Sequence, residues 1–366
     1  MLDPRIQKLA ALISDKGVLI KKNENVWIRL TDVLGAPLAR EVQKIGILRQ
    51  ANVHVDIGLS DTGKFFYDNA TKEMLARKPE ITEFLVGWAD KVITIVADKN
   101  NREMSEVDPV KVMTRQKVSR PIMDKILKKP WTLVWYPTDS MAQEAKMSLE
   151  DMEDFYFNAC LQDYSQINKK LEKMKKILDN AKLVHIVGKD TDLKLSFKGR
   201  YFVPDTRQLN NIPAGEVFGA PLDNFTNGHI YYEFPSMRMG KEVKGIRLWF
   251  KKGRVYKFSA DKGADYLKAA LDTDPGARRF GELGIGANYG IKRFLNNTLF
   301  DEKIGGTIHT ALGKAYEDKE GGGKNKSAIH WDIVKDMGIG ISGENTSGSS
   351  ITVDGKMIEK DGRILI

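Results

Sequence analysis

Short runs rich in β-branched and aromatic residues recur through the first part of the chain. They are "NVWIRL" (25–30), "NVHVDI" (52–57), "KVITIVA" (91–97) and "WTLVWYP" (131–137). Between them, apolar residues return at helical spacing in "APLAREVQKIGILRQA" (36–51) and "RPIMDKILKK" (120–129). Parallel neighbours need a crossover, so strand–helix alternation of this kind predicts a mainly parallel sheet flanked by helices. The turn after the first run, "LTDVLGAP", carries no G-x-G-x-x-G, and no dinucleotide site is expected there.

The pattern changes after a long helical region over residues 140–182. "LVHIVGKDTDLKLSFKGR" (183–200), "IRLWF" (246–250) and "RVYKFS" (254–259) read as short strands separated by turn signals. "ITVDGKMIEKDGRILI" closes the chain as a hairpin with a further strand. The expected architecture is an α/β N-terminal domain with a mainly parallel sheet, residues 1–182, followed by a β-rich α+β C-terminal domain, residues 183–366. The length of 366 residues suits two domains at roughly 100–200 residues each.

Composition narrows the partners. Hydrophobic content of 42% with 29% charged residues is that of an ordinary globular chain. "MLDPRIQKLAALISDKGVL" mixes acids and bases with apolar residues at helical spacing and lacks the basic start and uninterrupted apolar core of a signal peptide. No window is apolar enough for a membrane span, so a cytoplasmic location is the default expectation. The formal charge of +9 raises nucleic acid as a partner. The densest basic stretch, "KKLEKMKKILDNAK" (169–182), nevertheless has Leu171, Met174, Ile177 and Leu178 at helical spacing, and reads as an amphipathic helix with a solvated basic face. No RNA- or DNA-binding signature accompanies it, and "GGGKNKS" does not fit a phosphate-binding loop.

One cysteine, Cys160, excludes an internal disulfide and a four-thiolate zinc site, so any metal must be held by histidine and carboxylate. Four segments of the second half supply such groups. Glu216 lies in "NIPAGEVFGAPLDN", Glu282 in "RRFGELGIGANYG", His309 in "DEKIGGTIHTALGKAY", and His330 with Asp332 in "GGGKNKSAIHWDIVKD". Each alone also fits a solvated glutamate or a core histidine. Together they match the ligand set of a dinuclear site for zinc, cobalt, manganese or magnesium. In a strand His330 and Asp332 share one face, and the neighbouring glycines are expected to let the backbone turn sharply at Glu216, Glu282 and His309.

These segments resemble the signature regions of the aminopeptidase T/aminopeptidase S family of cytoplasmic metallopeptidases. "GEVF", "GELGIG", "DEKIGGTIHTALGKAY" and "NKSAIHWD" occur in the family's order, with "GKDTDLKLSFKGR" before them. The resemblance is diffuse in the first half. It implies that the C-terminal domain is catalytic, and that Glu216, Glu282, His309, His330 and Asp332 are the ligands of two divalent metal ions. It further implies Glu282 as the bridge, Tyr316 near the reaction centre, peptide substrates and a homodimer. Glu302, in the same "DEK" element, is expected behind the ligands or as a salt-bridge partner, with ligation the lesser alternative. In such a site Glu216 or Glu282 would serve as the base and Tyr316 would steady the oxyanion. Two other readings stay open: a metal hydrolase acting on another amide or a phosphoester, and a non-enzymatic nucleic-acid-binding protein.

Overall fold

The computed structural model describes residues 3–238, 241–316 and 321–366. Contacts divide the chain into two units, one of residues 1–161 with 208–212, the other of residues 162–207 with 213–366. The helix Tyr164–Leu178 thus belongs to the second unit, whereas the sequence reading placed the boundary after it, at 182/183.

The first unit is built on a five-stranded sheet in the order Asn52–Ile57, Asn25–Leu30, Lys91–Val96, Trp131–Trp135, Asn211–Ile212. All four pairings are parallel, as the alternation of strands and helices predicts. Val26, Ile28, Val92, Ile93, Ile95 and Val134 are fully buried in it. The last strand comes from the 208–212 segment, where the Thr132 hydroxyl donates to the Leu209 carbonyl at 2.9 Å. The helix expected over 120–129 begins earlier, at Pro109. The Asp108 side chain caps it by accepting from the Val110 N–H, and proline fits the first turn because that N–H has no helical partner.

The long helical region splits into Asp139–Glu144, Leu149–Cys160 and Tyr164–Leu178. The breaks have local causes. Ser148 accepts from Asp151 N–H, and Asp163 from Ser165 and Gln166 N–H, each starting a new helix. In the last of these helices Leu171, Met174 and Leu178 are buried while Lys169, Lys170, Lys173 and Lys176 face solvent. None of the helices among the described residues is long and apolar enough to cross a membrane.

The second unit carries an eight-stranded antiparallel sheet and a five-stranded antiparallel sheet. The chain end forms the expected hairpin of Ser350–Val353 with Lys356–Lys360, then adds Arg363–Ile364. Both turns are Asp-Gly, with positive φ at Asp354, Gly355, Asp361 and Gly362. The smaller sheet runs in the order His330–Asp336, Thr307–Gly313, Phe280–Gly286, Glu216–Gly219, Val203–Pro204. Its core face is mostly apolar: Val217, Leu283, Ile285, Ile308, Leu312, Trp331 and Ile333 all lie in one hydrophobic cluster, with Thr310 and Lys335 on the same face paired to Tyr232 and Glu233. That pattern fixes the register and hence what the opposite face presents.

Candidate metal centre

Register alone brings the sequence-predicted residues onto that opposite face. Glu282 sits across from Ala311, and Ala311 across from Asp332. His309 sits across from Gly284, His330 across from Gly313, and Glu216 across from Gly286. Side chains two apart in a strand project together, so Glu216, Glu282, His309, His330 and Asp332 converge while their neighbours anchor the core.

The glycines divide between two roles: Gly306, in the double glycine before His309, turns the chain at φ 87° as expected, while those around Glu282 act differently. Gly281, Gly284 and Gly286 do not turn the chain; they lie inside a fully buried strand. Their missing side chains make room: a Cβ at Gly284 would collide with the His309 ring, and one at Gly286 with the Ile304 carbonyl. Only Gly215, at φ 131°, uses a conformation that favours glycine next to a site residue in that strand pair; a Cβ there would lie 2.7 Å from the Asn288 Cβ. Asp205 then receives the Gly215 and Glu216 N–H groups at 2.9 Å, delivering Glu216 into its strand.

The converging atoms are close. His309 Nε2 is 3.1 Å from Glu282 Oε1 and 3.5 Å from Glu216 Oε2. His330 Nε2 is 3.3 Å from Asp332 Oδ2 and 3.6 Å from Glu282 Oε2. His330 Nδ1 lies 2.8 Å from the Lys314 carbonyl, which accepts its proton and leaves Nε2 to face the carboxylates. Glu216 and Glu282 are each 5% exposed and His309 is 1% exposed.

Without a cation this arrangement is costly, because like charges gather where water is scarce. Burial pushes the Glu216 carboxyl up, and it carries Glu302 up to about 7. Burial disfavours charge on His309, yet Glu216, Glu282 and Glu302 outweigh it and raise its pKa to about 10. Burial likewise opposes charge on His330, while Asp332 and Glu282 raise it to about 10. Asp332 is held below the usual carboxylate range: burial works against this, and His330 prevails.

The donor set fits divalent metal. Glu216 Oε2, Glu282 Oε2, His309 Nδ1 and Asp332 Oδ1 are buried with no hydrogen-bond partner. Such orphaned atoms call for an explanation, and an ion is one. Three overlapping groups could each hold one: Glu216–Glu282–His309, Glu282–His330–Asp332 and Glu302–His309–Asp332. Oxygen and imidazole donors suit zinc, manganese, cobalt or magnesium rather than a thiolate-seeking ion.

Tyr316 lies at the rim. Its ring meets His330 edge-on with centroids 5.4 Å apart and tilts against Phe218 at 5.6 Å. The residue is 42% exposed, yet desolvation and the charges of Glu282 and Asp332 raise the phenol pKa, so it stays protonated. Glu302 pairs with Lys303 at 2.8 Å, as a salt-bridge partner should, and also falls within the third ligand group. Sequence reasoning passed over Lys303 and Asp205. A lysine beside a glutamate ordinarily marks a solvated surface, and nothing in "DEKIGG" or "VPDTRQ" marks either side chain as buried.

Comparison with known proteins agrees with the resemblance carried by these segments. Aminopeptidase 2 of Geobacillus stearothermophilus is 27% identical over 411 aligned positions, covering 97% of this chain and 95% of that one. Aminopeptidase T of Thermus thermophilus is 35% identical over 138 residues, a third of each chain. Among solved structures, wild-type AmpT from Thermus thermophilus superposes with a TM-score of 0.82 at 21% identity and full coverage of both chains. A 2,5-dihydroxypyridine dioxygenase from Pseudomonas putida KT2440 shares the fold at a TM-score of 0.60 and 12% identity, covering 99% of this chain and 96% of that one. Fold alone therefore does not choose the chemistry. The model of the thermophilic metalloprotease family (M29) matches residues 2–362, and the chain belongs to that family.

Proposed function

We propose that this chain is an aminopeptidase that hydrolyses the N-terminal bond of peptides at a site for two divalent ions. The observation that carries the reading is the pair of ligand groups, Glu216–Glu282–His309 and Glu282–His330–Asp332, that share one carboxylate on one sheet face. Groups that share a carboxylate would keep two ions close enough to act together on one reacting centre, as hydrolytic metal pairs do. Family membership and the aminopeptidase names of the relatives support it.

In this reading Glu282 would be shared by the two ions, Glu216 and His309 would help hold one, and His330 and Asp332 would help hold the other. Zinc, cobalt, manganese or magnesium held there would polarise the scissile carbonyl and acidify a water. The chain's own groups then manage protons and geometry. Glu216 or Glu282 takes the proton of the attacking water and returns one to the leaving amine. Tyr316, protonated and held against His330 and Phe218, donates to the oxygen on which charge develops. The antiparallel strands hold these groups rigidly, which keeps the cost of reorganisation low.

Chelation tests the reading. Release of N-terminal residues from a peptide panel should stop with chelator and return with one of the four ions; release untouched by chelator would sink it. Running other amides and phosphoesters beside the peptides sets the substrate class. The same reading includes a cytoplasmic homodimer without a specific nucleic-acid or membrane partner, and light scattering in solution checks the subunit count.

A further inference from the structure

Lysine is seldom placed wholly out of water unless it is paired. Lys303 is 1% exposed, and its Nζ lies 2.7 Å from Glu216 Oε1 and 2.8 Å from Glu302 Oε2. Those carboxylates are 7% and 15% exposed, so neither ion pair is a solvated surface contact. The backbone fixes Lys303 as tightly as the side chain does. Its N–H donates to the Phe300 carbonyl at 3.0 Å, and its carbonyl accepts from Asn288 N–H at 2.9 Å. The Asn288 side chain in turn donates to the Ala214 carbonyl at 2.9 Å, two residues before Glu216. Lys303 is therefore tied by main chain and side chain to the stretch that carries Glu216.

One consequence concerns which oxygen of Glu216 is free. Lys303 occupies Oε1. Oε2 is left without a hydrogen bond, 3.5 Å from His309 Nε2, within the Glu216–Glu282–His309 group. A buried carboxylate with one oxygen clamped has little freedom to swing the other away. The structure assigns Lys303 as the positioning residue of the centre: by gripping Glu216 and Glu302 through one oxygen each, it aims Glu216 Oε2 at the ion that Glu282 and His309 also hold. The inference rests on the metal-site reading and adds a residue outside the ligand set.

Two effects of this ammonium oppose each other, and they separate experimentally. As a charge it repels every cation in the centre. As a clamp it favours the positions its two carboxylates reach, Glu216–Glu282–His309 and Glu302–His309–Asp332, which share His309 and leave out His330. Loss of an outer partner of a ligand typically weakens metal binding about 10–100-fold. Lys303→Met should thus weaken one of two ions by about that factor, and leave the ion held by Glu282, His330 and Asp332 unchanged or tighter.

The experiment is a titration of the full-length, metal-stripped chain with Zn²⁺, followed by calorimetry, and with Co²⁺, followed by visible absorption. Circular dichroism melts report folding. The expected result is two binding steps in the wild type, with one weakened selectively in Lys303→Met and weakened less in Lys303→Arg, which keeps the charge but not the shape. Two steps unchanged, or both tightened, in a folded Lys303→Met would overturn the inference. Should that variant fail to fold, Lys303→Arg decides: one selectively weakened step supports the clamp, and wild-type binding of both ions refutes it. A wild-type chain that binds neither ion would remove the metal site itself, a failure distinct from these.

Discussion

Gly284 stands directly across the strand pair from His309, and the space where its side chain would be is filled by the imidazole. The position is inside a fully buried strand with an ordinary extended backbone, so glycine is required there by the neighbouring ring and not by a turn. Gly284→Ala should therefore fold with its sheet intact but push His309 out of line with Glu282. The expected outcome is weaker metal binding and loss of most peptide release, with a modest fall in Tm. Metal analysis beside a thermal melt checks it; a variant with full metal content and activity would contradict it.

Glu282 is common to the groups Glu216–Glu282–His309 and Glu282–His330–Asp332, whereas Asp332 does not belong to the first of them. Their substitutions should differ in kind. Glu282→Gln is expected to lower metal content at both positions, Asp332→Asn at one. Elemental analysis after dialysis against a weak chelator distinguishes them. Equal loss in the two variants would show that Glu282 does not bridge.

Tyr316 meets His330 edge-on, with ring centroids 5.4 Å apart, at the rim of the candidate ligand groups. Its contribution should appear only as charge develops. Tyr316→Phe is expected to reduce kcat about 10²–10³-fold, with KM and metal content nearly unchanged. Steady-state kinetics on one peptide, with metal content measured in parallel, reads both quantities. A large rise in KM alone would point to substrate binding instead.

Away from the centre, Glu359 is fully buried and neither carboxyl oxygen has a hydrogen-bond partner. Burial raises its pKa from 4.5 to about 8. The folded chain then holds this proton more tightly than the unfolded chain does. Its favourable contribution is complete below pH 4.5 and fades as pH rises through about 8, where the buried group must ionise. Glu359→Gln, which cannot ionise, should match the wild type near pH 4 and gain stability over it by at most about 5 kcal/mol at pH 8. Melts at several pH values test the trend; a gain independent of pH would assign the effect to packing.

Much of this was legible in the chain. The runs at 25–30, 91–97 and 131–137 became parallel strands because β-branched residues between helices leave few other ways to bury both faces, and 52–57 joined them as the exposed edge strand. The Asp-Gly pairs at 354–355 and 361–362 became hairpin turns because that dipeptide tolerates positive φ. Less visible were the helix breaks at Ser148 and Asp163. There capping side chains interrupt a composition that is helical throughout.

In the centre, the sequence by itself determined which chemical groups were present: two glutamates, two histidines and an aspartate spaced among glycines, with one thiol and hence no four-thiolate site. It also determined that His330 and Asp332 share a face, because that depends only on the period of a strand. Which oxygen meets which nitrogen, why Gly284 must be glycine, and that Lys303 is buried between Glu216 and Glu302 were decided only by tertiary structure. Those facts arise from register between strands far apart in the chain. Register is set by how the apolar residues on the opposite face of the sheet pack into the core, and no local spacing records it.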